Sequence, residues 1–294
     1  MRRPEPTRKN LLIAGGGLCA VLLLVITAFS CTRTEPELGP AAFVPTTTTL
    51  APTSTAPTTA APDTTAAPSG PETTTEPPPS TEAEVAPAGL QPLPARTSEV
   101  ATAREGVDEV ALHDDATGPS TGALDATGDY GQRQVFLVVG REGDRLHVLL
   151  PTRPNGSKAW IDADDVDVTT HDYQIQVSIS GFELMAQKGT EVVVDTPIGV
   201  GTQDTPTVGG EFYTWVLLDP TNAGYGSYAY GLSGFSTLEQ FAGGDGRMGV
   251  HGTEDASSIG RNVSHGCIRV PDDVVVRMVE EVGLPLGVPV TVYA

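Results

Sequence analysis

Cysteine is nearly absent from this chain of 294 residues: it occurs only as Cys19, Cys31 and Cys267, and Cys267 alone lies outside the N-terminal apolar segment and its border. A lone cysteine in the body of the chain excludes an internal disulfide there, and a free thiol is then more naturally a nucleophile than a staple. Basic residues are also few, 17 Lys plus Arg against 37 Asp plus Glu, for a formal charge of −20. That balance argues against binding the phosphate backbone of nucleic acid, and no basic stripe or nucleic-acid motif is present. Aromatic residues make up 5% of the chain. They and the large aliphatics are almost missing from much of the first third, which therefore cannot build a core.

One long apolar run exists, from Leu11 to Ser30, behind a mostly basic head over residues 1–10 that carries Arg2, Arg3, Arg8 and Lys9. Roughly 20 apolar residues suffice to cross a bilayer as a helix, and the basic head stays on the cytoplasmic side. The run is expected to be a transmembrane signal anchor or a signal peptide, with everything after it exported. Cys31 at its end is similar in placement to the lipidated cysteine of bacterial lipoproteins, so lipid attachment and cleavage with release stand beside the anchor. Cys19 is read as a small hydrophobe within the run.

Residues 31–95 are dominated by Pro, Thr, Ala and Ser, as in Pro45-Thr46-Thr47-Thr48-Thr49 and Pro77-Pro78-Pro79-Ser80. Such a segment buries too little apolar surface to offset chain entropy, and reads as a disordered linker. Extended at no more than about 3.1 Å per residue, it reaches on the order of a hundred ångströms or more, enough to work within a wall. A sugar-bearing stalk is compatible with the same role.

From residue 96 to 170 short apolar runs alternate with turns. Gln134–Val139 and Arg145–Leu150 flank Gly140–Asp144 as a hairpin, and Pro154-Asn155-Gly156-Ser157 is a second turn before Ala159-Trp160-Ile161. The pattern predicts a small β-barrel or sandwich. The stretch from Leu149 to Ile161 resembles the last part of bacterial SH3-like domains. That resemblance implies a module that binds wall peptides or positions its neighbour; a purely structural β subdomain packed on the next domain is the other reading.

Over residues 171–294 the pattern is again β. Ile175, Val177 and Ile179 alternate with Gln174, Gln176 and Ser178, and further strands are expected at Phe182–Ala186, Glu191–Val194, Ile198–Val200, Glu211–Leu218 and Pro289–Tyr293. One late helix is predicted between Pro271 and Gly283, with Pro271 at its first position and Val274, Val275, Met278, Val279 and Val282 on one face.

Cys267 lies a few residues before that helix, whose positive end could favour a thiolate if the fold brings the two together. His251 is 16 positions upstream, which leaves room for a chain reversal that brings imidazole to sulfur. An ordinary thiol, with a pKa near 8.5, is mostly protonated at neutral pH, so a histidine must take its proton or hold the thiolate. Gly266 permits an unusual turn in which amides near Cys267 form an oxyanion hole, and the Gly252 carbonyl could fix the His251 tautomer. His251, His265 and Cys267 are also zinc-binding residue types, but a Cys within two residues of a His is not a typical ligand pair, and the thiol chemistry needs no cofactor.

Three blocks, Thr205-Pro206-Thr207-Val208-Gly209-Gly210-Glu211-Phe212, His251-Gly252-Thr253 with Ser257–Arg261, and Ser264-His265-Gly266-Cys267-Ile268-Arg269, together resemble the YkuD-type L,D-transpeptidase catalytic domain family of bacterial wall synthesis. The resemblance spans about residues 171–294. It implies a mainly β fold: a β-rich catalytic domain with one late helix, here preceded by the small SH3-like β domain. It also implies a peptidoglycan cross-linking enzyme of the cell envelope, acting on stem peptides at the extracytoplasmic face of the membrane. Cys267 would be acylated by the third residue of a donor tetrapeptide, with loss of D-alanine, and an amine on a neighbouring stem would resolve the thioester into a 3-3 cross-link. Water or a protein amine as acceptor would instead give a carboxypeptidase or a wall-attachment enzyme, and a degenerate domain would only bind the wall. His251 would be the base and Gly252 its orienting partner. Ser264, His265, Gly266 and Arg269 are signature positions for loop geometry and substrate contact, with an ion pair as the other role for Arg269. Tyr225, Tyr228 and Tyr230 are candidate lid residues over the substrate, or packing. No metal or other cofactor is implied, and carbapenem-type β-lactams are expected to acylate Cys267.

Overall fold

A computed structural model describes residues 89–241 and 244–294. The basic head, the apolar run, Cys31 and the linker as far as residue 88 lie outside the described residues. Among the described residues no helix is long and apolar enough to cross a membrane.

The first seven strands are β1 (Ser98–Ala103), β2 (Glu109–His113), β3 (Ser120–Asp125), β4 (Val135–Glu142), β5 (Arg145–Leu149), β6 (Lys158–Asp162) and β7 (Val166–His171). They form one sheet in the order β3-β2-β6-β5-β4-β1-β7. The predicted hairpin is β4–β5, with a tighter turn than expected: pairing continues to Glu142 opposite Arg145, leaving Gly143 (φ 56°) and Asp144 to reverse the chain. Val110, Phe136, Leu146, Val148 and Ile161 fill the core of this sheet.

A second sheet follows, built from β8 (Tyr173–Ser178), β9 (Glu183–Lys188), β10 (Glu191–Pro197), β12 (Gly210–Leu218), β13 (Ala229–Phe235), β14 (Arg247–Thr253), β16 (Ile268–Pro271) and β17 (Pro289–Tyr293). Its order is β10-β9-β8-β17-β12-β13-β14-β16, and a short parallel pair, β11 (Val200–Gly201) with β15 (Asn262–Ser264), lies apart from it. Ile175 and Val177 point into the main core with Phe212, Leu232, Val250, Ile268 and Val290, as their alternation predicts.

The other face of β8 is not solvated. Gln174 and Gln176 are buried because residues 90–94 cross that face. Gln174 Nε2 donates to the Pro94 carbonyl (3.1 Å) and Gln176 Nε2 to that of Gln91 (2.8 Å). Gln187 exchanges two bonds of 2.8 Å with the backbone of Leu93. These residues, assigned by composition to the end of the linker, are instead docked. A glutamine offers both a donor and an acceptor to an extended backbone, so a polar sheet face can be covered with its groups satisfied.

The late helix is present, but its geometry changes midway. Pro271 closes β16, α1 (Asp272–Val276) follows, and Arg277–Glu281 form a π-helical turn before Gly283 (φ 63°) reverses the chain. Val275 and Met278 are fully buried from the predicted face.

The two sheets share a dry contact. Leu137 and Leu149 from the first pack on Tyr213, Trp215 and Val216 of β12. Two buried polar groups there are paired: Tyr213 Oη donates to the Val135 carbonyl (2.9 Å), and Trp215 Nε1 donates to Gln134 Oε1 (2.7 Å). Asn155 makes reciprocal 2.9 Å bonds to the backbone of Phe235. The turn predicted at 154–157 therefore fastens one sheet to the other.

Candidate active site

The parallel pairing of β14 with β16 puts Val250 opposite Ile268 and His251 opposite Arg269. Val250 and Ile268 are fully buried in the core, so alternation turns Gly249, His251, Cys267 and Arg269 to the opposite face. There His251 and Cys267 line one cleft of about 370 Å³, together with Tyr225, Tyr130, Phe241 and Arg247. The sheet register, rather than a loop folding back, brings imidazole and thiol to one place.

His251 is 4% exposed. Its Nδ1 lies 2.8 Å from the Gly252 carbonyl, which can only accept, so Nδ1 carries the proton and Nε2 is left as the base. Burial lowers the His251 pKa; the Gly252 carbonyl opposes this, Arg269 adds to it, and the Tyr225 carbonyl opposes it again. Burial raises the Cys267 thiol, against the Gly249 amide and the Arg269 charge. Both shifts favour the uncharged forms, so the cleft holds a neutral imidazole and a neutral thiol.

The helix does not assist the thiol. Cys267 and Asp272 are separated by the extended β16, a span of about 16 Å at about 3.3 Å per residue. The Asp272 carboxylate serves a different purpose: it accepts from Ser227 N and from Ser227 Oγ, both at 2.7 Å. This ties down the loop that carries Tyr225, whose ring meets His251 edge-on with centroids 4.9 Å apart. A Cβ on Gly252 would stand 2.2 Å from Asp272 Oδ1, so only glycine admits this approach.

The nucleophile loop is clamped from two sides. Ser264 is buried, its Oγ donating to the Cys267 carbonyl (2.5 Å) and accepting from Gly266 N (3.2 Å). Its side chain holds the loop, and the Gly266 amide is taken up in that contact. Gly266 has φ 113°, with Ser236 Cβ 2.7 Å from where a side chain would begin. From the other side Thr205 Oγ1 donates to the Ser264 carbonyl (3.2 Å) and Thr207 Oγ1 to that of Gly266 (3.1 Å). Thr207 Oγ1 also accepts from Gly201 N (2.8 Å).

Of the remaining predicted residues, Arg269 influences both His251 and Cys267, and its Nε is buried without a hydrogen bond. No ion pair among the described residues includes it. His265 is exposed and stacks on Phe241 (4.4 Å) at the cleft rim. Tyr225 lines the cleft. Tyr228 does not: its phenol donates to Glu280 Oε1 (3.0 Å), toward the helix. Tyr230 is fully buried on β13 and donates to the Leu284 carbonyl (2.9 Å), so it belongs to the floor and core. Among the described residues no three His, Cys, Asp or Glu side chains group as metal ligands.

Sequence reasoning missed Ser227, Asp272 and Tyr130. Nothing in their local sequence marks them, because each acts through a partner tens of residues away.

Residues 172–292 match the family described as YkuD, L,D-transpeptidase catalytic domain. The chain is 35% identical over 128 residues to a putative L,D-transpeptidase YkuD of Bacillus subtilis, covering 43% of this chain and 69% of that protein. Solved structures similar to it include an L,D-transpeptidase from Mycobacterium smegmatis, at 14% identity and TM-score 0.34, covering 69% of this chain and all of that one. Another is the catalytic domain of the E. faecium L,D-transpeptidase, at 24% identity and TM-score 0.31, covering 42% and 98%.

Proposed function

Since this chain belongs to the YkuD family of L,D-transpeptidases, we propose that it cross-links peptidoglycan in the bacterial cell envelope through a thioester on Cys267. The observation that carries this reading is the shared face of β14 and β16, with one cleft receiving both His251 and Cys267.

In the first half-reaction the Cys267 sulfur attacks the carbonyl carbon of the third residue of a donor tetrapeptide stem, while His251 Nε2 takes the thiol proton. The tetrahedral intermediate collapses, the C–N bond to D-alanine breaks, and the imidazolium returns the proton to the leaving amine. In the second, an amine of a neighbouring stem loses a proton to His251 and attacks the thioester carbonyl. The new amide is a 3-3 cross-link, and the thiolate leaves as thiol. A neutral resting pair suits this cycle, because the thiolate forms only when an acyl carbon is present to receive it. The cleft also suits a carbapenem-type β-lactam, whose strained amide the same thiol would open. The apolar run at residues 11–30 would keep the enzyme at the outer face of the membrane, with the linker reaching into the wall.

Incubation of purified protein with stem tetrapeptides, read by mass, tests the proposal. We expect D-alanine, 3-3 dimers and a Cys267 acyl adduct, and a Cys267→Ala variant that forms none of them. Release of D-alanine by Cys267→Ala at the wild-type rate would remove the thiol from the mechanism. Tripeptides without dimers would identify water as the acceptor.

A further inference from the structure

The cleft is not built by the second sheet alone, for Tyr130, between β3 and β4 of the first sheet, lines it together with Cys267 and His251. Its position is fixed by a closed turn: Gly128 N donates to the Gln132 carbonyl (2.7 Å) and Gly131 N to that of Gly128 (2.9 Å). Arg133 braces the turn from beneath through the carbonyls of Ala103 (3.0 Å) and Val107 (2.8 Å).

The Tyr130 ring meets Trp215 edge-on, with centroids 6.1 Å apart, and Arg247 stacks on the same indole at 4.0 Å. The residue is nevertheless 52% exposed, more than any other large hydrophobic side chain among the described residues. Its hydroxyl makes no hydrogen bond among those residues. Burial raises its phenol pKa, with Asp245 adding to the effect and Arg247 opposing it, so it remains a donor at neutral pH. Burial acts likewise on Tyr225. Two protonated phenols thus border the thiol, one from each sheet.

An aromatic side chain held in place on a braced turn, with half its surface open to a reaction cleft and a donor unspent, is preorganised for a ligand at small entropic cost. Packing that turn on Trp215 does not by itself explain a tyrosine there, because the hydroxyl does nothing for the packing. We propose that Tyr130 is a substrate-binding residue, its hydroxyl donating to a carbonyl or carboxylate of the stem peptide and its ring covering the aliphatic part of the diamino acid. The first sheet then completes the cleft instead of only carrying it.

This inference rests on the proposed action on stem peptides, and the experiment separates the two. Full-length wild type, Tyr130→Phe and Tyr130→Ala are compared on stem tetrapeptide for kcat and KM, and on iodoacetamide for alkylation of Cys267. One net hydrogen bond corresponds to a KM rise of roughly three- to tenfold in Tyr130→Phe, and loss of the ring to a larger rise in Tyr130→Ala. In Tyr130→Phe, which keeps the ring against Trp215, we expect kcat, melting temperature and the alkylation rate to stay at wild-type values, since the small reagent needs no peptide contact. Wild-type KM in Tyr130→Ala would overturn the role of Tyr130 and leave the function standing. So would a KM rise in Tyr130→Phe accompanied by slower alkylation and a lower melting temperature, the mark of a purely structural residue. Wild-type protein that neither binds nor turns over the tetrapeptide would overturn the proposed function, and this inference with it.

Discussion

Thr207 concentrates at one oxygen what the nucleophile loop requires. Its Oγ1 accepts from Gly201 N and donates to the Gly266 carbonyl, and the residue is 5% exposed, so neither bond can be replaced by water without opening the loop. Thr207→Val keeps the shape and removes both partners. Each buried group left unpaired costs about 1–3 kcal/mol. We therefore expect Thr207→Val to lower the urea midpoint measurably and to slow acylation of Cys267 at least tenfold, with the Cys267→Ala protein carrying Thr207→Val as the reference for stability alone. An unchanged midpoint and acylation rate would show that the loop holds its geometry without this residue. Residues of this kind explain why the Thr205-Pro206-Thr207 block was legible as a signature but not as a mechanism. The sequence shows the hydroxyls, whereas their partners, Ser264 and Gly266, stand 59 positions on. Cys267, His251 and Gly252 were legible because their chemistry is local: a thiol, a base, and a carbonyl one residue away.

At the level of elements, the alternation of β8 identified a strand and its core face correctly, and β9, β12, β17 and the late helix were also visible as periodic apolar runs. Periodicity could not reveal what covers the polar face, because a glutamine face reads as solvated until something is found lying on it. Composition likewise could not end the linker correctly, since residues 90–94 dock through backbone groups that every residue carries. Strands β13 and β14 were hidden by their glycines. Gly231 and Gly249 sit where neighbouring chains approach closely, and a Cβ on Gly249 would stand 3.0 Å from the Tyr230 carbonyl. The docked strap has a direct consequence. Gln187 makes both bonds to Leu93, so Gln187→Ala should free the strap, and limited proteolysis should then cut within residues 89–95 several times faster than in wild type, with the remaining domain resistant. Equal cutting in both proteins would mean that the Gln174 and Gln176 bonds to Pro94 and Gln91, with Leu90 packing on Met185 and Tyr293, hold the strap without Gln187.

For the whole molecule, three histidines make stability depend on pH in one direction. Burial lowers the imidazole pKa at His147, where Lys158 adds to it, and at His171 and His251, where other contacts partly oppose it. In the unfolded chain these rings take up protons as pH falls through about 6.5, whereas in the fold they resist. Below that pH the unfolded state binds more protons, so stability rises with pH and is lost as pH falls. Asp165, raised by its burial and then by Asp162 and Asp164, works in the opposite sense from the carboxylate range. The imidazoles should dominate between pH 7.5 and about 5.5, near their unfolded pKa. Each tenfold preference of a ring for its neutral form is worth about 1.4 kcal/mol, or about 3–6 °C in a domain of this size. We expect the melting temperature to fall across that window, and His251→Asn to flatten the slope, since the amide cannot titrate and can still donate toward the Gly252 carbonyl. The same proton closes the acid side of activity, because a protonated His251 cannot accept from Cys267. Melting and acylation should therefore weaken over the same range, with acylation failing at the lower pH set by the folded ring. A melting temperature constant or rising from pH 7.5 to 5.5 would contradict the neutral state assigned to the buried imidazoles, and with it the neutral pair from which the thiol reacts.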